Sequence, residues 1–301
     1  MKKPHVVILG MGEIGTVLYS LIKKRGYSIE AWDKVPQRVS HQKSLFEIVP
    51  KADLLFLCIP SWNLPSVVKS IGPFIHKQTV VVGLAKGLQP TKETPFTFLS
   101  QSFPHNEVVM LGGAMLAEEV AGGMPGVAVF AGKKEEIRVS VRECFKNTNV
   151  ICFESKDPEA SSFMSILKNV YALGLGIGDG IGWGGNGRAL LALEALKEME
   201  LLCAIKGIKK EMVYGQSGFV DLIATGFSAY SKNVEVGKLI VSTKKVPPNS
   251  EGLVSLEPLK KIIGVSMSSF PLFNVIYQTA LRKEKATIAF SRYVKKIQQK
   301  R

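Results

Sequence analysis

The chain has 301 residues, 46% of them apolar and 21% charged. This composition is typical of a folded globular protein with room for two domains, and it excludes a disordered chain. No apolar run of about 18 residues is free of charge, so we expect no membrane span. The four cysteines and four histidines lack the spacing of a disulfide framework or a metal site. We therefore expect reduced cysteines and no bound metal.

The formal net charge of +14 comes from 39 Lys and Arg residues against 25 Asp and Glu residues. Such an excess favours anionic partners, namely phosphorylated metabolites, nucleic acid or an acidic membrane surface. Residues 282–301 hold eight Lys or Arg and a single acidic residue, Glu284. We interpret this tail as a solvated helix face and rank a peripheral membrane contact below that interpretation. The basic residues lack the interleaved aromatics of a nucleic-acid-binding module, so we expect no nucleic-acid partner.

The N-terminus has features of a signal peptide, because two lysines precede an apolar segment. Glu13 interrupts that segment, and its glycines belong to a motif that has a different explanation. We therefore expect a cytoplasmic protein.

The first half of the chain alternates short β-branched runs with amphipathic helical segments such as 16–25 and 135–147. This alternation is typical of a parallel sheet built from βαβ units. The predicted strands are 5–10, 28–33, 53–60, 79–86, 107–113, 126–132 and 149–155.

Beyond residue 155 the strand patterns stop. Asp157-Pro158-Glu159 predicts a helix start, because Asp caps free amides, Pro suits the first turn and Glu complements the helix dipole. Asn186 predicts the start of a second helix that ends at Gly207. The core positions of that helix are Leu190, Leu193, Met199 and Leu202. We therefore predict an α/β Rossmann-type domain at 1–155, which binds a dinucleotide, and an all-helical substrate and catalytic domain at 156–301.

The motif Gly10-Met11-Gly12-Glu13-Ile14-Gly15 directly follows the first predicted strand and opens the first predicted helix. Such a loop lets the backbone approach a pyrophosphate, whose charge is held by amides at the helix N-terminus. A lone motif of this kind is also compatible with a plain tight turn. Here a second strand follows and ends in Asp33, about 20 positions on, where a ribose hydroxyl binds. Since Asp33 repels a 2′-phosphate, we expect NAD as the cofactor, with Lys34 and Arg38 within reach of the phosphate of NADP.

The stretch 168–191 places Lys168 and Asn169 in an apolar helix and continues with many glycines. A flexible linker between domains is one explanation, and a close-packed active-site wall is another. In the second case the glycines would let the backbone and the cofactor domain approach a small substrate. A helix lysine considered alone is usually solvent-exposed. The choice between a linker and an active-site wall therefore depends on the other motifs of the chain.

Polar motifs follow one another along nearly the whole chain. Lys86 lies just past a strand end, where open α/β sheets bind their ligands. Asp221 stands beside an apolar run that ends in a polar segment, 231–233. In chain order, these motifs are the glycine motif, Pro60-Ser61, Lys86-Gly87, Glu119-Val120, Lys168-Asn169, Asn186, Asp221-Leu222, Thr225, Ser231, Asn233, Glu251-Gly252 and the segment 270–281.

Together these segments resemble the NAD(P)-dependent glycerol-3-phosphate dehydrogenases. The resemblance implies reduction of dihydroxyacetone phosphate to sn-glycerol 3-phosphate, which serves phospholipid synthesis, and we also expect a homodimer. It implies that Lys168 is the proton donor and that Asp221 holds it and tunes its pKa. It implies cofactor binding by Gly10, Gly12, Glu13, Ile14, Gly15, Asp33, Lys86, Ala117 and Glu251. It implies substrate binding by Lys86, Gly113, Asn169, Thr225, Ser231, Lys232 and Asn233, and no metal.

Two segments depart from the family pattern. Residues 112–117 read Gly-Gly-Ala-Met-Leu-Ala, where the family has Ser-Gly-Pro-Ser-Phe-Ala. Lys232 stands where the family has an arginine, which keeps the charge and gives up the planar two-pronged grip on phosphate. The alternatives are a related dehydrogenase for another small phosphorylated or carboxylated hydroxy compound, a non-catalytic cofactor-binding regulatory protein and, last, a nucleic-acid binder.

Overall fold

The computed structural model describes residues 3–242 and 248–299. The chain divides into two compact units. The first contains the residues up to Gln89 together with Glu93–Phe163, and the second contains Pro90–Lys92 together with the residues from Met164 onward. The assignment of a cofactor domain to 1–155 and a substrate domain to 156–301 stays a prediction.

The first unit alternates strands and helices, as the sequence pattern predicts. All seven predicted strands are present, each somewhat shorter than its apolar run. The elements are β1 (Val6–Leu9), α1 (Glu13–Lys24), β2 (Ile29–Trp32), α2 (Leu45–Ile48), β3 (Leu54–Leu57), α3 (Leu64–Ile71), β4 (Val80–Gly83), α4 (Pro95–Ser102), β5 (Val108–Gly112), α5 (Ala117–Ala121), β6 (Gly126–Ala131), α6 (Glu135–Arg142) and β7 (Val150–Ser155).

The seven strands form one sheet in the order β2-β1-β3-β4-β5-β6-β7. Neighbouring strands from β2 to β5 are parallel, and so are β6 and β7. The predicted parallel sheet has one exception among the described strands, because β6 runs antiparallel to β5. The connection between them, residues 113–125, contains only the short helix α5 and does not return to the far end of the sheet.

Both faces of the sheet are covered by apolar side chains, which explains the near-continuous apolar strands. Val6 and Ile8 of β1 belong to one core cluster, and Val7 and Leu9 belong to the other. All four side chains are fully buried. The carboxyl ends of the parallel strands are thereby held on a rigid support.

The second unit is helical, which confirms the predicted fold class. None of the helices among the described residues is long and apolar enough to cross a membrane. The helices are α7 (Pro158–Gly180, which begins in the first unit), α8 (Gly184–Lys206), α9 (Asp221–Phe227), α10 (Lys232–Ser242), α11 (Glu251–Ile263), α12 (Pro271–Leu281) and α13 (Ala286–Gln299).

The ends of the two long helices test the capping predictions. Asp157 accepts a hydrogen bond from the Ala160 amide at 2.9 Å, which confirms the predicted start of α7. Gly207 ends α8 in the left-handed region, as predicted. The prediction that Asn186 caps α8 is wrong, because α8 begins at Gly184, whose positive φ of 57° completes the turn two residues earlier.

The outer face of α8 also differs from the prediction. Leu193 was expected in the core by its spacing, but it is 51% exposed. Met199 and Leu202 are fully buried, as expected. The 23-residue helix turns Leu193 away from the core that Met199 and Leu202 fill, so the spacing is right for these two residues and wrong for Leu193.

Four of the glycines after Lys168 lie inside α7 and pack it against other helices of the second unit, namely Gly174, Gly176, Gly178 and Gly180. A Cβ atom on Gly176 would stand 2.4 Å from the Val234 carbonyl oxygen of α10. Conversely, a Cβ atom on Gly237 of α10 would stand 2.4 Å from the Leu173 carbonyl oxygen. These glycines therefore let two helix backbones touch, which is a different use from the expected approach of the cofactor domain.

Candidate active site

The candidate cofactor-binding residues of the first unit begin with the glycine motif at the end of β1. Gly10 has a φ of +96°, and a Cβ atom there would stand 2.4 Å from the Cys58 carbonyl oxygen. A Cβ atom on Gly15 would stand 1.9 Å from the Gly10 carbonyl oxygen. Both positions therefore require glycine, one for the turn and one for the close start of α1.

The N-terminus of α1 faces open space. Gly12 lies at the cap position without a side-chain hydrogen bond, and Glu13 and Ile14 are the first two residues of the helix. A Cβ atom on Gly12 would meet no atom of the described chain within 4 Å. The uncapped amides and this space fit the pyrophosphate of a dinucleotide, because a helix N-terminus attracts negative charge.

Asp33 lies directly after β2 and its side chain is turned toward the glycine motif. The residue is 5% exposed. Its Oδ2 accepts a hydrogen bond from the Met11 amide at 2.6 Å, and its Oδ1 accepts one from the Val35 amide at 2.8 Å. The carboxylate therefore fixes the loop at the place where the ribose would lie.

Lys86 and Gly113 meet where β4 and β5 end. Lys86 Nζ donates a hydrogen bond to the Gly113 carbonyl oxygen at 2.9 Å. Gly113 has a φ of +91°, and a Cβ atom there would stand 2.3 Å from the Val127 carbonyl oxygen, so this position needs glycine. Ala117 is buried and begins α5. The altered 112–117 loop thus keeps the glycine on which its backbone depends.

The candidate catalytic residues of the second unit, Lys168, Asp221 and Thr225, form a buried cluster. Lys168 Nζ lies 2.9 Å from Asp221 Oδ1 and donates a hydrogen bond to Thr225 Oγ1 at 2.7 Å. Thr225 Oγ1 in turn donates to Asp221 Oδ1 at 3.1 Å. The three residues are between 1% and 5% exposed. Since Asp221 and Thr225 are four residues apart on α9, one helix face presents both groups to Lys168.

Asn169, the next residue of α7, belongs to a second buried network. Asn233 Nδ2 donates a hydrogen bond to Asn169 Oδ1 at 2.8 Å, and Asn233 Oδ1 accepts one from the Gly252 amide at 2.9 Å. A Cβ atom on Gly252 would stand 2.3 Å from the Asn169 carbonyl oxygen. Gly252 therefore lets the start of α11, where Glu251 is the first residue, lie against both asparagines.

The polar segment before Asn233 is arranged differently. Ser231 is buried, and its hydroxyl accepts a hydrogen bond from the Val234 amide at 3.4 Å, so it caps α10. The Lys232 side chain is 57% exposed and pairs with Glu235 at 2.9 Å. Within the second unit, the structure joins Asn233 to Asn169 but leaves Lys232 on the outer face of α10.

Glu198 is a buried polar residue that the sequence pattern does not predict. Its carboxylate accepts hydrogen bonds from the Leu272 and Phe273 amides, at 2.6 and 2.8 Å, and from the Tyr171 hydroxyl at 3.0 Å. Burial raises its pKa from 4.5 to about 7, although the three bonds act in the opposite direction. Its position next to the core residue Met199 on α8 is the signal that could have identified it.

Comparison with known proteins identifies relatives of this chain. The family model described as NAD-dependent glycerol-3-phosphate dehydrogenase N-terminus matches residues 33–138, and the corresponding C-terminus model matches residues 157–291. The glycerol-3-phosphate dehydrogenase (NAD(P)+) of Clostridium perfringens strain SM101 is 28% identical over 95% of this chain and 96% of its own. The corresponding Moorella thermoacetica protein is 30% identical over 79% of this chain and 78% of its own.

A solved structure has the same fold. The crystal structure of glycerol-3-phosphate dehydrogenase from Coxiella burnetii superposes with a TM-score of 0.88 at 20% identity, covering 97% of this chain and 99% of that chain. The two family models together span most of the chain, on both sides of the change from strands to helices. The chain therefore belongs to the NAD-dependent glycerol-3-phosphate dehydrogenase family.

Proposed function

We propose that the protein interconverts dihydroxyacetone phosphate and sn-glycerol 3-phosphate with NAD(P)H, and thereby supplies glycerol 3-phosphate for phospholipid synthesis. The observation that carries the proposal is the buried cluster of Lys168, Asp221 and Thr225 in a chain of this family. A protein that only bound the cofactor would not need a buried ammonium group that can give up a proton.

The cofactor would be held by the motif 10–15 and the N-terminus of α1. The amides of Glu13 and Ile14 would meet the pyrophosphate, in the open space beside Gly12. Asp33 would lie by the ribose, and Lys86 and Ala117 are the other proposed cofactor-binding residues of the first unit. Glu251 is the proposed cofactor-binding residue of the second unit. The bound nicotinamide supplies the hydride that reduces the substrate carbonyl.

Lys168 supplies the proton. Its Nζ gives a proton to the carbonyl oxygen of dihydroxyacetone phosphate as the alcohol forms, and its positive charge stabilises the developing alkoxide. Asp221 and Thr225 fix the position of Nζ, and Asp221 balances a charge that would otherwise be buried alone. In the opposite direction the neutral amine accepts the hydroxyl proton of glycerol 3-phosphate.

The two asparagines orient the rest of the substrate. Asn169 follows Lys168 on α7, and the hydrogen bond to Asn233 fixes the plane of its amide. We propose that Asn169, Thr225, Ser231 and Asn233 bind the hydroxyl and phosphate end of the substrate. The proposed substrate-binding residues of the first unit are Lys86 and Gly113. Fixed amide planes suit this task because they hold donors in place before the substrate arrives.

The test is a steady-state assay of the purified protein that follows the absorbance of reduced nicotinamide. We expect oxidation of NADH or NADPH that depends on dihydroxyacetone phosphate and is much weaker with unphosphorylated dihydroxyacetone. A protein that binds either cofactor but shows no turnover with any small keto compound would instead be the non-catalytic regulatory protein.

A related dehydrogenase for another small hydroxy compound is the second candidate function. Lys232 favours it, because its side chain lies outside the asparagine network and pairs with Glu235. The loss of both serines from the 112–117 loop adds to this difference.

Lys232 variants distinguish the two candidates. If Lys232 attracts the phosphate, Lys232→Ala should raise KM for dihydroxyacetone phosphate by about tenfold or more without weakening cofactor binding, and Lys232→Arg should lower that KM. The measurement is KM for dihydroxyacetone phosphate and for dihydroxyacetone with each variant. Equal effects of Lys232→Ala on both substrates would move the second candidate ahead.

We further propose a homodimer. Three apolar side chains of α8 are exposed, namely Leu193 (51%), Leu201 (44%) and Ile205 (45%). A second copy of the chain could cover this apolar stripe. Light scattering after size exclusion measures the mass, and Leu201→Glu should shift a dimer toward monomer if α8 forms the interface. The cytoplasmic location stays a prediction that cell fractionation would test.

A further inference from the structure

We infer that Glu198 is a positioning residue for the proposed reaction, because its carboxylate fixes the turn of α7 that carries Lys168. The inference rests on the proposed function, in which Lys168 is the proton donor. It assigns a role in turnover to a buried carboxylate that acts through a neighbouring side chain, Tyr171.

The link between Glu198 and Lys168 is Tyr171. It follows Lys168 by three residues on α7, so the two side chains lie on neighbouring sides of one helical turn. Tyr171 is fully buried, and its hydroxyl donates a hydrogen bond to Glu198 Oε2 at 3.0 Å. Because backbone hydrogen bonds join the residues of a turn, a displacement of Tyr171 also moves Lys168.

The Glu198 carboxylate is itself held by the start of α12. Oε1 accepts the Leu272 amide at 2.6 Å, and Oε2 accepts the Phe273 amide at 2.8 Å. Phe270, the cap residue of α12, makes no side-chain hydrogen bond, so the carboxylate takes the place of a helix cap. It also complements the positive end of the helix dipole. Tyr171 therefore has a partner that is fixed in position.

The same side of α7 packs against α12 one turn further on. Gly174 follows Tyr171 by three residues, and a Cβ atom there would overlap the Ile276 side chain of α12. Apolar contacts of this kind have no fixed direction, whereas a hydrogen bond has one. The bond to Glu198 therefore contributes the orientation of the turn. Orientation matters for Lys168, because a misplacement of about 1 Å can slow turnover by about 100-fold.

The strength of this hydrogen bond depends on the charge of Glu198. Burial raises the pKa of its carboxyl from 4.5 to about 7, against the effect of its three hydrogen bonds. Among the described groups that face it, Glu194 raises this pKa further and is paired with Lys197. Tyr293 of α13 stays neutral, because burial and the two glutamates raise its pKa. Since an ionised acceptor binds a donor more strongly, the hold on Tyr171 weakens as the pH falls through about 7.

The experiment compares steady-state turnover of dihydroxyacetone phosphate by the wild type, Tyr171→Phe, Glu198→Gln and the double variant. Tyr171→Phe removes only the hydroxyl, so we expect kcat at pH 8 to fall by about tenfold, with substrate KM and calorimetric cofactor Kd changed by less than about twofold. In the Glu198→Gln background the same replacement should lower kcat by less than about threefold, because a neutral amide holds the hydroxyl less firmly.

The pH profile distinguishes positioning from a general loss of stability. The ratio of wild-type kcat to Tyr171→Phe kcat should rise as the pH rises through about 7, and the ionisation of Lys168 cancels in this ratio. Circular dichroism checks that the variants are folded. If Tyr171→Phe does not fold, the ratio of wild-type kcat to Glu198→Gln kcat should show the same rise.

Tyr277→Phe is the matched control. Tyr277 is also fully buried, and its hydroxyl donates a hydrogen bond to the Glu257 carboxylate at 2.7 Å, but it lies on α12. We expect its kcat to stay within about twofold of the wild type. The inference is overturned if Tyr277→Phe slows turnover as much as Tyr171→Phe, if Tyr171→Phe keeps the wild-type kcat, or if the ratio is independent of pH. In these cases the proposed function stands, whereas a wild type without turnover overturns the proposed function and the inference with it.

Discussion

At the scale of single residues, the proposed chemistry of this protein depends on one buried ion pair. Lys168 and Asp221 lie 2.9 Å apart and are almost completely buried. Burial of two charges costs more than a surface pair would, and such a pair is poor evidence of a stabilising role. A buried pair on facing helices, with Thr225 bonded to both partners, is instead what a positioned proton donor requires.

Replacement of Lys168 tests this role. Lys168→Ala removes the proton donor and the alkoxide stabiliser together, so we expect kcat to fall by at least about 100-fold. Cofactor binding should remain, because the motif 10–15 is unchanged. The measurement is kcat together with a calorimetric Kd for the cofactor.

Lys197→Ala is the control for Lys168→Ala. Lys197 is a helix lysine whose side chain is 57% exposed and pairs with Glu194. Its removal should leave kcat nearly unchanged, because an exposed pair contributes little. Near-normal turnover in Lys168→Ala would contradict the assignment of the proton donor.

At the scale of elements, glycine contacts between helices position the asparagine network. Gly176 and Gly237 let α7 and α10 touch along their backbones. This approach carries Asn233 of α10 to Asn169 of α7. The glycines of α7 are therefore required for helix packing in the second unit, and the contact at Gly176 brings Asn233 to Asn169.

Gly176→Ala should separate the two helices. Its Cβ atom would lie 2.4 Å from a backbone oxygen, which cannot move without shifting α10. We expect a loss of about 1–3 kcal/mol in unfolding free energy, after the better helix propensity of alanine is included. A higher KM for the substrate should accompany this loss, because Asn233 moves with α10. Urea unfolding and steady-state kinetics measure the two effects.

Gly185→Ala provides the comparison for Gly176→Ala. Gly185 lies in the first turn of α8, and a Cβ atom there would meet no described atom within 4 Å. This variant should be neutral or slightly more stable than the wild type. Equal stability of the two variants would show that the close crossing is not required.

At the scale of the whole molecule, Glu198 connects three helices of the second unit and makes its stability depend on pH. It joins α8 to the first amides of α12 and to Tyr171 of α7. Its pKa is raised from 4.5 to about 7, because burial outweighs the three hydrogen bonds. The folded state therefore binds the proton more tightly than the unfolded state does.

The pH dependence of unfolding follows from this difference. The contribution of Glu198 is fully present below about pH 4.5 and is lost as the pH rises through about 7. Over that range we expect the unfolding free energy of the wild type to fall by on the order of 3 kcal/mol relative to Glu198→Gln. Glutamine does not titrate, so the pH dependence of all other groups cancels in the comparison. Urea unfolding of both proteins across this range measures the difference, and parallel curves would contradict the prediction.

The sequence by itself determined the fold class, the seven strands and the position of the glycine motif. Local patterns carry this information, because strand periodicity and the residues around Gly10 act over a few positions. The motifs at Lys168 and Asp221 identified the family, but spacing along the chain does not give distances. The pairing of these residues, 53 positions apart, is a property of the packed helices.

The tertiary structure decided what depends on contacts between distant segments. One such feature is the antiparallel direction of β6 relative to β5, because the direction of a strand is set by where its connection ends. The tertiary structure moved the start of α8 from Asn186 to Gly184 and exposed Leu193, because backbone turns and helix faces are chosen by packing. It also placed Lys232 outside the asparagine network and turned Gly176 of α7 toward α10, since burial and close approach exist only between segments that fold together.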